Sequence, residues 1–216
     1  NWSNIKPVSY EGSWVTPFKM HPDDNQLIVI GYDEVYRSKD AGDTWDSISN
    51  EFAAGEEIKT IALSPSDKDY IYAANYTKIY VTKDDGQSWA YIKSGLPNYN
   101  ITDVTVSNSN PDRVWVTFSE YNSAHKVYET NDAGSNWVNI SGSNLPDLPV
   151  NCIVYQGSAS DDLYIGTDIG VYYKNNTMSD WVPFMNGLPN VIVKELEIHY
   201  DGGTISAATF GRGVWE

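Results

Sequence analysis

Apolar and polar residues alternate over short stretches of this chain, and no stretch keeps a helical period. Residues 101–106 (Ile-Thr-Asp-Val-Thr-Val) read with period two, as a half-buried strand does. Residues 114–118 (Val-Trp-Val-Thr-Phe) and the pair Val127 and Tyr128 are rich in β-branched and aromatic side chains, which fit a pleated surface. Asn110, Pro111 and Asp112 supply a turn between the first two of these strands. Trp137, Val138, Asn139 and Ile140 form a fourth. Gly-Leu-Pro or Asn-Leu-Pro punctuation then ends the unit, at Gly95, Asn144 and Gly187.

The unit repeats. Trp45, Trp89, Trp137 and Trp181 are 44, 48 and 44 residues apart, and Trp2 lies 43 before Trp45. The residues ahead of each tryptophan recur as well. Val35-Tyr36-Arg37-Ser38-Lys39-Asp40-Ala41-Gly42-Asp43-Thr44-Trp45 matches the segments ending at Trp89 and Trp137. The copy ending at Trp181 is degenerate, with Asn176 in place of the Asp and Met178 in place of the Gly. Four short strands per ~40–45 residues is the signature of a β-propeller blade. The spacing predicts blades over about residues 10–50, 57–98, 99–147, 148–190 and 191–216, the last completed by residues 1–6. The expectation is an all-β propeller forming a single domain of about five four-stranded blades. Residues 1–5 resemble the end of a repeat plus a fourth strand. The chain is read as an excerpt of a longer propeller, in preference to a self-contained ring closed by those residues.

The recurrent Ser/Thr-x-Asp-x-Gly-x-Thr/Ser-Trp resembles the Asp-box, or bacterial neuraminidase repeat. In that reading Asp40, Asp84 and Asp132 accept hydrogen bonds from turn amides, Gly42, Gly86 and Gly134 adopt positive φ, and Trp45, Trp89 and Trp137 seal blade edges. These residues are structural, and no catalytic residue is assigned. Beyond the box, residues 14–18, 165–172 and 208–215 resemble the terminal propeller of large secreted bacterial proteins of sortilin-like or xyloglucanase-like glycosidase type, many with type IX secretion signals. That resemblance implies an exported, extracellular or cell-surface setting. It does not imply activity, because function resides in sites grafted on folds.

Charge removes several function classes. Lys and Arg total 14 against 29 Asp and Glu, a net charge of −15, with only three arginines: Arg37, Arg113 and Arg212. A nucleic-acid partner or a polybasic membrane-surface module is therefore not expected. No apolar run reaches the ~20 residues of a membrane helix, so membrane insertion is not expected either. The single cysteine, Cys152, excludes an internal disulfide and reads as a small buried hydrophobe. His21, His125 and His199 share no metal-ligand spacing and read as turn or surface histidines. The Asp-rich turn at residues 22–25 reads as a plain turn in preference to a weak calcium site, and no cofactor or metal is expected.

Blade topology sorts the remaining candidates. Boxes join third and fourth strands on one rim; loops between second and third strands lie on the opposite face. That face should carry Tyr32, Tyr76, Tyr121, Asp168 and Arg212, aromatic and polar groups suited to a glycan or a protein surface. Asp33, Glu34, Glu120 and Asp168 are its carboxylates, and no spacing marks a pair for glycoside hydrolysis. The sequence reading is a non-catalytic binding or scaffolding propeller. Its alternatives are part of a secreted glycoside hydrolase, whose decisive residues lie in further blades or domains of the same parent chain, and a structural spacer or filament-associated subunit.

Overall fold

A computed structural model describes residues 6–7, 12–52 and 56–216 of the chain. The fold is a β-propeller: five antiparallel sheets, with no α-helix among the described residues and one 3-10 turn, Ser123–His125. The chain divides into two compact units, Asn1–Lys93 and Ser94–Glu216.

The first unit holds two sheets, each with its strands in chain order. One comprises β1 (Phe18–His21), β2 (Asp24–Gly31), β3 (Val35–Ser38) and β4 (Asp46–Ser47). The other comprises β5 (Thr60–Leu63), β6 (Ile71–Ala74), β7 (Ile79–Thr82) and β8 (Ala90–Tyr91). Val29, Val35 and Ile48 of the first sheet pack with Ile58, Ile61, Ile71 and Ala73 of the second. The core thus lies between blades, because one sheet cannot bury its own two faces. The approach is close: a methyl group at Gly31 would sit 2.6 Å from the Ile58 side chain.

The second unit holds three sheets. They are β9 (Asn100–Val106), β10 (Val114–Ser119), β11 (Val127–Thr130) and β12 (Val138–Asn139); β13 (Val150–Gln156), β14 (Asp162–Thr167), β15 (Gly170–Lys174) and β16 (Val182–Pro183); and β17 (Val193–His199), β18 (Thr204–Thr209) and β19 (Gly213–Trp215). The last sheet has three strands among the described residues. The closing strand expected over residues 1–5 lies outside them. Trp115, Ile153, Tyr155, Ile165 and Trp181 fill the core between its first two sheets. Cys152, Val171, Val193, Leu196 and Ala207 fill the core between the last two. Cys152 is buried, and burial pushes its thiol well above the usual range.

The recurrent Asp organises the turn between third and fourth strands. In the first copy Asp40 Oδ1 accepts from Thr44 N at 2.8 Å, Asp40 Oδ2 accepts from Thr44 Oγ1 at 2.6 Å, and Ser38 Oγ donates to Asp40 Oδ1 at 2.7 Å. Gly42 N closes the loop onto Ser38 Oγ at 2.7 Å. The same set recurs around Asp84 and Asp132, with Ser88 and Asn136 as the following donors. Two successive residues in each turn are left-handed: Ala41 and Gly42 (φ 58° and 95°), Asp85 and Gly86 (57° and 85°), Ala133 and Gly134 (52° and 85°). Two left-handed residues in succession are the φ pattern of a type I′ turn, set here inside the seven-residue connection between third and fourth strands. The following side chains and amides hold all three carboxyls below the usual range.

The degenerate fourth copy reaches the same end by another route. Asp180 stands where Thr44, Ser88 and Asn136 stand in the others. Its carboxylate accepts from Ser143 N, Ser143 Oγ, Asn144 N and Trp181 N, tying the fourth blade to the loop after β12. Burial pushes its pKa up, but these donors outweigh it and hold the carboxyl at about 2. A methyl group at Gly142, itself at φ 67°, would run into that carboxylate.

A carboxyl depressed in the folded state stabilises above its unfolded pKa and loses that contribution as pH falls through the folded value. Stability from Asp180 should hold from pH 7 to near pH 5 and decline from about pH 4, near the unfolded 3.8, toward the folded value of about 2. Asp180→Asn should cost about 1–2 kcal/mol at neutral pH. The difference from the parent should close near the acid limit. Urea unfolding across that range checks both.

Candidate functional site

Each sheet has two unlike ends. The turn end carries the Asp turns and the hairpins between first and second strands; the loop end carries the connections between second and third strands. The five sequence-derived contact residues all fall at loop ends: Tyr32 between β2 and β3, Tyr76 between β6 and β7, Tyr121 between β10 and β11, Asp168 between β14 and β15, and Arg212 between β18 and β19.

In the first unit the two tyrosines part company. Tyr32 is only 5% exposed and sits edge-on to Tyr36, with ring centroids 6.0 Å apart. Its cover is the segment leading into β1. A methyl group at Gly12 would lie 2.7 Å from the Tyr32 ring, and Pro17 O accepts from Gly31 N at 2.9 Å. Thr16 Oγ1 donates to Ser13 O, closing this segment into a turn. At its tip Trp14 is fully exposed and Val15 is exposed. Tyr76 is half exposed, and the Lys59 ammonium lies 4.7 Å from its ring centre. Lys59 Nζ also donates to Ser13 Oγ at 2.6 Å, joining the tryptophan-bearing turn to the tyrosine loop. Asn75 Oδ1 accepts from Thr77 N and Lys78 N and holds that loop in shape. The loop end of this unit therefore presents Trp14 and Tyr76 around a pinned lysine. Sequence reasoning used Trp14 only for family likeness; its position just ahead of the first inner strand was the available signal.

In the second unit the structure gathers Asp168 and the Glu120–Tyr121 loop around one residue that sequence reasoning passed over. Lys126 is completely buried, and its ammonium donates to Glu120 O and to Leu148 O, the latter at 2.7 Å. Burial pushes its pKa down, opposed by the carboxylates of Asp147, Glu120 and Asp168. Asp168 Oδ1 accepts from Asn151 Nδ2 at 3.0 Å. Tyr121 stands exposed at the loop tip, its amide bonded to Glu120 Oε1 at 2.7 Å. Behind it His125 stacks on Tyr128, with Nδ1 2.6 Å from the phenol oxygen. Arg212 is exposed on the turn of the last sheet, where its carbonyl accepts from the Trp215 indole.

Several residues have different surroundings from those the sequence suggested. His21 was expected in a turn or at the surface, but it is buried. It ends β1, where the neighbouring sheet covers it. Asp23 N donates to its Nδ1, so Nε2 carries the proton toward Ser64 O at 3.1 Å. His199 is exposed and His125 half-buried. The turn at residues 22–25 faces a small cavity of about 220 Å³ lined by Asp24, Leu27, Lys39, Lys68, Asp69 and Asp85. Its two lysines are already paired, Lys68 with Asp24 at 2.6 Å and Lys39 with Asp85 at 2.7 Å. Among the described residues no group of three His, Cys, Asp or Glu is arranged to hold a metal ion. No helix among them is long and apolar enough to cross a membrane.

Comparison with known proteins follows the architecture. The family model described as Sortilin-Vps10 (sortilin, neurotensin receptor 3) matches residues 33–177, well over half of the chain. No curated protein sequence matches. Among solved structures, a GH74 xyloglucanase from Xanthomonas campestris superposes with TM-score 0.70 at 15% identity, over 92% of this chain and 34% of that one. An ancestral GH74 enzyme gives 0.66 at 17%, over 89% and 28%. YCF48 bound to D1 peptide gives 0.61 at 15%, over 98% and 70%. The chain spans about a third of the GH74 structures it resembles. At these identities the likeness carries the fold.

Lys126→Met should leave two partly buried carbonyls, those of Glu120 and Leu148, without this donor. A loss of about 1–3 kcal/mol in chemical denaturation is expected. Proteolytic nicking should become faster between Ser119 and Lys126, because the loop loses its anchor.

Proposed function

The chain belongs to the Sortilin-Vps10 family, and from that premise we propose that it is a non-catalytic binding or scaffolding propeller of an exported, cell-surface or extracellular protein. Its ligand is a glycan or a protein surface, met at the loop ends of the sheets. One observation carries this reading. At the turn ends the recurrent carboxylates are consumed by hydrogen bonds of their own turns. At the loop ends large aromatic side chains stand exposed: Trp14 and Tyr76 in one unit, Tyr121 in the other. Exposed aromatic faces with a few fixed polar neighbours suit sugar rings and extended peptides.

Further support comes from the carboxylates. Glu34 accepts from Ser47 Oγ, Glu120 holds the Tyr121 amide, and Asp168 holds Asn151. Each has a local structural task, so the binding reading needs no acid–base pair. The contacts proposed are, in the first unit, Trp14 and Tyr76, with Tyr32 as the support under the Trp14 turn, and, in the second unit, Tyr121, Asp168 and Arg212. No cofactor enters this reading. The resemblance to Asp-box propellers of secreted bacterial proteins agrees with an exported setting, and other blades or domains of a parent chain are its natural partners.

A glycan array and affinity electrophoresis in xyloglucan test the reading. Retardation or array binding without release of reducing sugar is expected. Trp14→Ala and Tyr76→Ala should each weaken it by roughly tenfold, because stacking on an exposed ring supplies about 1–2 kcal/mol. Full binding by the double variant would remove the loop end of the first unit from the function. Release of reducing sugar, abolished by one carboxylate-to-amide change, would instead establish the glycoside hydrolase reading.

A further inference from the structure

The first strand of every sheet in the second unit slips its register by one residue near the loop end. Phe118 pairs with Ile101 but Thr117 with Asp103, which leaves Thr102 over. Thr167 pairs with Val150 but Gly166 with Cys152, which leaves Asn151. Thr209 pairs with Val193 but Ala208 with Glu195, which leaves Lys194. The first unit does without this device. There β5 pairs residue for residue with β6, and the slip between β1 and β2 lies at the turn end. A bulge re-aims the side chain of its extra residue and recurs beside binding sites. Its other use is to blunt a sheet edge, but β5 is an edge strand too and pairs without one.

Two contacts bring the three bulges to one level. Asp103, one residue past the first bulge, accepts at Oδ2 from Ile153 N of the next sheet at 3.0 Å. Cys152, one residue past the second, packs with Val193, one residue before the third. A methyl group at Gly166 would lie 2.5 Å from Cys152 Sγ and 2.7 Å from the Val193 side chain, so these two sheets meet closely. The residues before the bulges, Ile101, Val150 and Val193, are buried. The extra residues are polar: Thr102 and Asn151 are half-buried and Lys194 is exposed. Asn151 Nδ2 donates to Asp168 Oδ1 at 3.0 Å, and the Thr102 and Thr117 hydroxyls lie 2.8 Å apart. This level therefore carries hydroxyl, amide, carboxylate and ammonium groups. A carboxylate only accepts and an ammonium only donates. A ligand that meets both must offer a donor and an acceptor close together, and one charge of each sign asks for no net charge in return. The neighbouring hydroxyls of a sugar ring meet those terms.

We propose that the bulged residues Thr102, Asn151 and Lys194, with Asp168, form a site for a single neutral sugar residue held by its hydroxyl groups. Asp168 accepts from one hydroxyl and Lys194 donates to its neighbour, while Asn151 fixes the Asp168 carboxylate and Thr102 adds a hydroxyl. The proposal rests on the loop-end reading only in taking a glycan as the ligand. The rings on which a glycan would stack, Trp14 and Tyr76, lie in the other unit.

The probes are the methyl glycosides of glucose, galactose, mannose and xylose, titrated into the 216-residue chain and followed by calorimetry and saturation-transfer NMR. Saturable binding of at least one is expected. Lys194→Met, at an exposed position, should weaken it at least about tenfold, as loss of a hydrogen bond from a charged group requires, and leave the thermal unfolding midpoint within a few degrees. Asn151→Ala should weaken it as well, through the carboxylate it holds. Lys83→Met removes the same charge at the turn end, where the ammonium lies over Tyr70, and should leave binding unchanged. No saturable binding of any of the four overturns the proposal. So does unchanged affinity in a folded Lys194→Met variant, or an equal loss in Lys83→Met. The two readings fail separately. Retention in xyloglucan that Trp14→Ala weakens, with no methyl glycoside bound, keeps the stacking reading and overturns this one. Methyl glycoside binding lost in Lys194→Met, with retention indifferent to Trp14→Ala and Tyr76→Ala, does the reverse.

Discussion

The packing of one blade against the next is the constraint on which the rest of this structure depends, and in each unit an indole N–H reaches across it to a carbonyl of the blade before. A four-stranded sheet whose last strand is two residues long cannot bury either of its faces alone. Its apolar side chains become a core only when the next blade is laid against them. Trp89 and Trp181 supply both the apolar surface and the directional bond that sets the stagger between blades. Trp181 shows the outcome: it is completely buried, packed with Trp115, Tyr155 and Leu145. A buried indole without an acceptor carries a desolvation cost, which the carbonyl of Ile140 relieves for Trp181.

The Asp turn positions that tryptophan. It fixes two successive left-handed residues and leaves the chain pointing back along the sheet for a two-residue strand. The fourth repeat shows that the turn is a means and the tryptophan the end. Met178 replaces the glycine and Asn176 the Asp, yet Asp180 rebuilds the connection with four donors, three of them from the preceding loop or its side chain. Different residues at that turn thus satisfy the same requirement, namely an ordered path into Trp181.

This hierarchy explains what was legible in the sequence. Period-two strands and a spacing of 44 or 48 residues disclose the blades, because each blade must solve the same burial problem with the same parts. The Asp turns were legible because their hydrogen bonds are local. What escaped depended on contacts between segments distant in sequence. The burial of Tyr32 comes from a turn that begins twenty residues earlier at Gly12, and that turn exposes Trp14. The burial of His21 comes from Ser64 of the next blade. Lys126 looks like any surface lysine in the chain; only folding brings Glu120 O and Leu148 O to its ammonium. A periodic pattern reports the face of a strand, not what another loop lays across it.

The distribution of arginine bears on the chemistry of the loop ends. Arg37 is buried on β3 and bonds Asp85 of the next blade. Arg113 bonds Glu129 of its own blade at 2.7 Å and Asp161 of the next at 2.9 Å, while its guanidinium lies 4.8 Å from the Trp115 ring. Two of the three arginines are thus ties between adjacent blades. A forked clamp for a carboxylate or phosphate needs convergent guanidinium groups, and Arg212 alone remains for one. With a net charge of −15, the long-range field also works against anionic ligands. The loop ends are left with aromatic rings, amides and a lysine held by Tyr76 and Ser13. For the binding role proposed above, that combination favours a ligand recognised by its flat apolar faces and hydroxyl or amide groups over one recognised by charge.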